Sequence, residues 1–436
     1  MGRGQDLYLH AKQLIPGGTE LLSKRPEMFL PDGWPAYYSR CKGARIWDLD
    51  GREYLDFATM GVGACVLGYA DDEVDAAVIE CIRNGSMSSL NAVEEVTLAE
   101  RLVAIHPWAD MARFSKTGGE ACAIAVRIAR AASGRSRVAF CGYHGWHDWY
   151  LSANIGDSSN LDGQLLPGLD PAGVPRELKD TAVPFFYNDL ASLEALTSRF
   201  GDIGVIIMEP VRGHIPEPGF LEGVREIATR IGAVLIFDEV TSGFRVNFGG
   251  VHLTLGVEPD VAVFGKALGN GYPISAVIGR APVMDAAQTS FISSTFWTER
   301  IGYVAALATL EKTERLDVPA HLVAAGRRIK AAWRSGAHAA GLDVHISGLD
   351  ALSHIDLRGD DPLAAGTLFT QAMLDRGFLA GASAYSTLAY DDEVLDAYAE
   401  AAAGSFAAVA DAAASDGGVR GALRGGVRHA GFKRLA

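Results

Sequence analysis

Lysine is the scarce residue of this chain, with nine Lys against thirty Arg among 436 residues. Cysteine is also thin. Cys41, Cys65, Cys81, Cys122 and Cys141 are odd in number and show no Cys-x-x-Cys spacing. That pattern excludes a disulfide frame or a zinc site and predicts reduced packing thiols in a cytoplasmic protein. No stretch approaches the roughly 18 uninterrupted apolar residues of a membrane span, so no membrane partner is expected. There is no basic block, and the formal net charge is −14. Nucleic acid and anionic membranes are therefore not expected partners. The opening residues MGRGQDLYLHAKQL lack an apolar run, so no secretion signal is expected. No internal repeat is visible, which excludes solenoids and other arrays.

What is present is ordinary globular material, 49% apolar and 21% charged. A helix is predicted over Leu7–Leu14, followed by a loop punctuated by Pro16, Gly17, Gly18, Pro26, Pro31 and Pro35. The runs ARIWDL and REYLDF flank Asp50-Gly51, a strong hairpin signal. From about Gly61 to Thr295, short apolar runs (RVAFC, VIIM, AVLIFD, VAVF) alternate with helical stretches at Glu120–Ala132, Leu193–Arg199 and Leu221–Ile231. Continuous apolar strands separated by helices predict an α/β fold with a mainly parallel sheet covered on both faces. The expected division is a large domain over 61–298, with α+β segments 1–60 and 299–436 forming a smaller one. The later segment contains a predicted strand at VHIS, a helix over Pro362–Asp375 and amphipathic helices at its end.

The scarcity of lysine makes Lys266 conspicuous. It is the only lysine between Lys179 and Lys312, directly after an apolar strand and before the glycine-rich ALGNGYP. Ligands of such sheets sit at the carboxyl ends of the strands. Desolvation there lowers the amine's proton affinity and makes it a nucleophile toward carbonyl carbon. A solvated surface charge is the plainer alternative. Asp238 ends another apolar run 28 residues earlier, which suits one strand–crossover–strand unit. Its carboxylate would neutralise a cationic ring nitrogen or cap the next turn. Glu239 is the weaker candidate, because acidic pairs at strand ends often include a purely structural member.

Ser115-Lys116-Thr117-Gly118-Gly119-Glu120 opens a helical run. Free N–H groups and the positive end of the helix dipole there suit a phosphate, although an ordinary helix start looks the same. Gly142–Tyr150 is dense in aromatic residues that can stack on a flat ligand. His144 and His147 beside Asp148 have no further ligand cluster, so no metal is expected and His147 reads as a satisfied structural histidine. Lysine, carboxylate, phosphate cradle and aromatic clamp together match the requirements of pyridoxal 5′-phosphate (PLP).

Over nearly its whole length the chain resembles the class III, fold type I, PLP-dependent aminotransferases, in the subgroup of glutamate-1-semialdehyde aminomutases. The resemblance starts at LIPGG, passes through the YLDF hairpin and reaches DRGFLAGAS. Its most specific parts are LIFDEVTSGFRV and VAVFGKALGNGYPISAVIG. It implies that Lys266 is the Schiff-base lysine and Asp238 the partner of the pyridine nitrogen. By the same carry-over, Val240 and Tyr143 pack on the two ring faces, while Thr117, Gly118 and Gly119 hold the phosphate. His144 of the Tyr-His-Gly triplet lines the site, and Glu209 of Met-Glu-Pro sits near the cofactor oxygen or the substrate. Thr295 aligns with a threonine that reaches the neighbouring subunit's phosphate, which implies a homodimer with active sites at its interface.

Three departures bear on substrate. The family's T-x-x-G-N-P here reads Thr295-Phe296-Trp297-Thr298-Glu299-Arg300, with bulky Trp297 in place of a small residue. The loop after Gly17-Gly18 offers Lys24 or Arg25 where the aminomutases place a carboxylate-binding arginine. Thr59–Gly63 lacks an aromatic residue that many relatives carry. The expected activity is transfer of an amino group from an amino-acid donor to an aldehyde or keto acceptor in biosynthesis. The alternative is an aminomutase moving the group within one molecule. A silent PLP-binding protein would require damage at Lys266, Asp238 or the phosphate loop, and none is visible.

Overall fold

A computed structural model describes residues 2–165 and 167–431. The chain divides into two compact units, Met1–Asp71 with Val318–Ala436, and Asp72–Asp317. Among the described residues, no helix is long and apolar enough to cross a membrane.

The second unit is built on a seven-stranded sheet: β1 (Met111–Ser115), β2 (Arg137–Cys141), β3 (Ala182–Pro184), β4 (Ile203–Met208), β5 (Val234–Asp238), β6 (Val261–Phe264) and β7 (Ser275–Gly279). Its spatial order is β1-β7-β6-β5-β4-β2-β3. Neighbours from β6 to β3 run parallel, whereas β7 pairs antiparallel with both β6 and β1. The four apolar runs singled out in the sequence are β2, β4, β5 and β6.

Side chains alternate between the faces of these buried strands. Val205, Ile207, Ile236 and Val263 pack with Ala121, Ile124, Ala125 and Ile128 of helix α1 (Gly118–Ser133). Ile206, Met208, Leu235 and Phe237 face the other way, against Phe220, Val224 and Ile227 of helix α2 (Phe220–Ile231). Each such buried aliphatic side chain contributes about 1.5–3 kcal/mol. The alanine-rich α1 has high intrinsic helix propensity. Thr117 caps its start, and Gly134, at φ 64°, ends it in the left-handed conformation.

The antiparallel course of β7 follows from the length of its connection. Only residues 265–274 separate β6 from β7. A parallel return needs a crossover of about a dozen residues or more.

In the first unit, Arg45–Asp48 and Glu53–Phe57 form the expected antiparallel hairpin, with Gly51 at φ 81° in its turn. Tyr38–Lys42 and Phe378–Ala380 extend it to four strands, the last one parallel. Phe57 stacks on Tyr390 and Tyr398 at centroid distances of 4.2 and 4.0 Å. These rings lie in a core shared with helices Val318–Ala339, Pro362–Asp375 and Asp392–Ala414. A second sheet joins Val344–Ser347, Leu352–Leu357 and Ser383–Tyr385. Lys24 and Arg25 belong to this unit, at the end of a single 3-10 turn, Leu22–Lys24.

Candidate active site

Four parallel strand ends and one helix start meet at one edge of the sheet. β2 runs into Gly142-Tyr143-His144, β4 into Glu209, β5 ends at Asp238, and β6 leads through Gly265 to Lys266. The start of α1 lies against this edge, since a Cβ on Gly118 would sit 2.8 Å from Cγ1 of Val240. A Cβ on Gly265 would likewise sit 3.4 Å from Cγ1 of the same valine. The strand ends of a parallel sheet are where ligands of such folds bind.

Asp238 is 4% exposed and well supplied with donors. Its Oδ1 accepts the Val240 amide at 3.0 Å. Its Oδ2 lies 2.7 Å from Nδ1 of His144 and accepts the Cys122 thiol at 3.3 Å. An ionised carboxylate only accepts, so Nδ1 carries the proton in this pair. These three donor and acceptor atoms lie within 4.8 Å of one another, a spacing that would also suit a small cation. Hydrogen bonding accounts for it. His144 is fully buried, edge-on to Phe140 and Tyr150, and its Nε2 has no protein partner among the described residues.

Lys266 adopts φ 24°, a region that residues with side chains seldom occupy, at a cost of about 1–3 kcal/mol. Its Nζ donates to Oγ1 of Thr241 at 2.8 Å. Burial holds its amine below the usual lysine range; Glu209 opposes this and Arg245 reinforces it. Glu209 behaves in the opposite sense: burial and then the nearby Asp238 raise its carboxyl above the usual range. It accepts the Tyr143 amide at 3.1 Å and pairs with Arg212 at 3.2 Å. Gly142, at φ 122°, makes that approach possible, because a Cβ there would lie 2.5 Å from the Glu209 carboxylate.

At the start of α1, Glu120 accepts the amides of Lys116 and Thr117 at 3.0 Å each, while Thr117 Oγ1 accepts the Glu120 amide at 3.3 Å. This reciprocal capping occupies Thr117 and leaves the Gly118 and Gly119 amides as first-turn donors with no carbonyl one turn earlier in the helix. His147 packs on the same turn, its Cε1 3.3 Å from where a Gly119 Cβ would be. Its buried Nδ1 has no partner among the described residues, so the expected satisfied structural histidine is not what the structure contains. Tyr143 is 41% exposed at the rim.

Of the sequence candidates, Thr117, Gly118, Gly119, Tyr143, His144, Glu209, Asp238, Val240 and Lys266 gather at this edge. Thr295 does not join them. It is exposed on a single turn, Thr295–Thr298, beside exposed Phe291 and Phe296. Trp297 packs against the core between α1 and the sheet. Sequence reasoning missed Cys122, Thr241 and Arg212. Their roles depend on contacts between distant segments, and Cys122 looks like any small residue within an alanine-rich helix.

A family model described as aminotransferase class-III matches residues 31–388. The 3-aminobutyryl-CoA aminotransferase of Cloacimonas acidaminovorans is 38% identical, over 83% of this chain and 85% of the relative. The glutamate-1-semialdehyde 2,1-aminomutase of Bordetella avium is 33% identical, over 93% of this chain and 99% of the relative. Among solved structures, the FumI protein of Sphingopyxis sp. MTA144, in a PLP-bound form, superposes with a TM-score of 0.86. It is 29% identical, and the match covers 95% of this chain and 98% of that one. With a family match and sequence relatives that both span most of its length, the chain belongs to the class III aminotransferases, enzymes of the fold type I architecture that work with pyridoxal 5′-phosphate.

Proposed function

We propose that the gathered strand ends are the PLP site, with Lys266 as the covalent anchor and proton carrier and Asp238 as the partner of the ring nitrogen. The observation that carries this reading is one crevice holding a lysine amine below its usual range and a buried carboxylate with three donors. The donor set fits the cofactor in further ways. The Gly118 and Gly119 amides and the unpartnered Nδ1 of His147 suit an anionic group at the helix start. Val240, packed against Gly118 and near Gly265, and Tyr143 at the rim offer surfaces for the two faces of a flat ring.

When bound, PLP supplies an electron-poor ring that accepts the electron pair released as a substrate C–H bond breaks. The chain's own groups do the rest. Lys266 Nζ, which donates to Thr241, would take the proton released at the substrate's α-carbon and return it two atoms away, across the amino nitrogen. Asp238, its oxygens fixed by three contacts, would hold positive charge at the ring nitrogen. Glu209, with raised proton affinity, lines the wall where a polar substrate group would lie.

The proposed reaction is transfer between an amino-acid donor and an aldehyde or keto acceptor. The similarity to the Bordetella avium aminomutase supports intramolecular transfer as the second reading. The deciding test is an absorption spectrum of the purified protein before and after excess L-glutamate. Bleaching of a visible band supports transamination from that donor. A band unmoved by every amino-acid donor favours the aminomutase, and no band after added PLP would refute the site.

A homodimer is the proposed assembly. Leu90, Val93 and Val96 are 83%, 68% and 59% exposed, and Phe291 and Phe296 are 88% and 66% exposed. Arg300 ties the two segments together, donating its amide to Ser86 and its guanidinium to Glu94. Exposed apolar surface of this kind marks association sites. On this reading a second copy covers it and receives Thr295. Sedimentation analysis of the wild type and of Phe291→Asp tests it, with a monomeric wild type refuting it. The odd number of cysteines and their lack of Cys-x-x-Cys spacing support a reducing, cytoplasmic setting.

A further inference from the structure

The Asp238 carboxylate has a second side-chain donor besides the histidine. Cys122 lies one helical turn beyond Gly118 in α1, so the helix that brings its first-turn amides to the crevice also carries a thiol to the floor beneath it. The sulfur is 3.3 Å from Oδ2 of Asp238, the oxygen that also meets Nδ1 of His144 at 2.7 Å. Cys122 is 1% exposed and His144 fully buried, so water cannot replace either donor without a rearrangement. Burial, and then the charge of Asp238, push the thiol well above its usual range. It therefore remains S–H, a donor, rather than becoming a reactive thiolate.

We propose that Cys122 is a positioning residue for Asp238. Its thiol and the His144 ring together fix Oδ2, so that the carboxylate presents an acceptor to the cofactor's ring nitrogen and the proton between them stays on nitrogen. This rests on the reading of Asp238 given above. Both donors favour the charged form of the acid, because hydrogen bonds to a carboxylate lower its proton affinity. Without the thiol, Oδ2 keeps only one of its two side-chain donors and the carboxylate is held less firmly toward the ring nitrogen.

The test uses PLP labelled with 15N in the ring, bound to the full-length protein, with the ring-nitrogen NMR shift as the readout. The Kd for PLP, from reconstitution of the apoprotein, is the second readout. Cys122→Val keeps bulk and removes the donor, Cys122→Ser keeps a donor, and Cys122→Ala serves if valine proves too large to fold. The expected result is a nitrogen signal moved toward the unprotonated value in the valine or alanine variant. PLP affinity should fall by about fivefold to tenfold, the scale of one ordinary hydrogen bond, since a thiol is a weak donor. The serine variant should stay close to wild type, and the apoproteins should melt at similar temperatures. An unmoved nitrogen signal in the valine and alanine variants overturns the proposal, as does a serine variant that behaves like valine. Asp238→Asn separates the levels of failure. If it too leaves the signal in place, the reading of Asp238 is wrong; if it moves the signal while Cys122→Val does not, only the role of Cys122 falls.

Discussion

Asp238 and Glu239 are adjacent in the chain, yet their carboxylates accept from separate sets of donors. Asp238 faces the crevice and takes Cys122, His144 and the Val240 amide. Glu239, fully buried, takes the amides of Val251 and His252, Nδ1 of His252 at 2.6 Å and the Ser242 hydroxyl at 2.7 Å. Trp108 then donates to Nε2 of the same histidine at 2.9 Å. Successive side chains on a strand end point to opposite faces, so one acid serves the ligand edge and the other the scaffold.

This division predicts two different phenotypes. Glu239→Ala strands several buried donors and should lower apoprotein stability by about 3–5 kcal/mol. Asp238→Asn should leave the melting curve nearly unchanged and reduce turnover by about 10²–10³-fold. Thermal melts of both apoproteins, beside steady-state rates of both holoenzymes, check the pair. Equal loss of stability in the two would contradict it.

Lys266→Ala removes the group read as both anchor and proton carrier. Turnover should fall by at least about 10²–10⁴-fold, the scale of a lost general acid–base. PLP should still bind through the helix start and Asp238, without the visible band of the lysine-linked form. Dialysis followed by phosphate-ester quantitation and an absorption scan would check both parts.

Gly118→Ala places a methyl group 2.8 Å from Val240, and overpacking of that kind costs about 1–3 kcal/mol. The expected result is PLP affinity weakened by about tenfold, equivalent to 1.4 kcal/mol. Val240→Ala, added to the first change, should restore part of it. A double variant no better than Gly118→Ala alone would show that the valine is not the obstacle.

His106 supplies a pH prediction. It is fully buried, its Nδ1 bonds the Leu102 carbonyl at 2.8 Å, and burial lowers its pKa from 6.5 to about 4. The unfolded chain therefore takes up a proton at a pH where the folded chain does not. The associated stability is complete above about pH 6.5 and is lost progressively as pH falls toward 4, by about 3 kcal/mol in all. Denaturation midpoints between pH 7 and 4 should show a slope that His106→Leu reduces, whatever that change does at pH 7.

Much of this was readable in the sequence because β2, β4, β5 and β6 are continuous apolar runs, the mark of strands covered on both faces. The lysine and the aspartate were legible for a related reason, as the first polar residues after such runs. β7 was not recognisable as antiparallel, since Ser275–Gly279 has the same composition as its parallel neighbours and only its return distance differs. Cys122 and Thr241 carry no local signal. A thiol in a helix and a threonine in a turn acquire a role only from residues 116 and 25 positions away. His147 was misjudged because sequence shows a histidine's neighbours in the chain, not whether its nitrogens find partners.

The short return from β6 to β7 has a mechanical consequence. Phe264 and Ala276 are paired across the two strands, so the segment bearing Lys266 is fastened at both ends to the middle of the sheet. Its amine can sweep only as far as its own four methylenes allow, because the main chain beneath it is pinned like a bridge between two piers. Amide hydrogens on either side should consequently exchange with solvent among the last in the molecule, and lengthening this loop should cost more function than lengthening any exposed one.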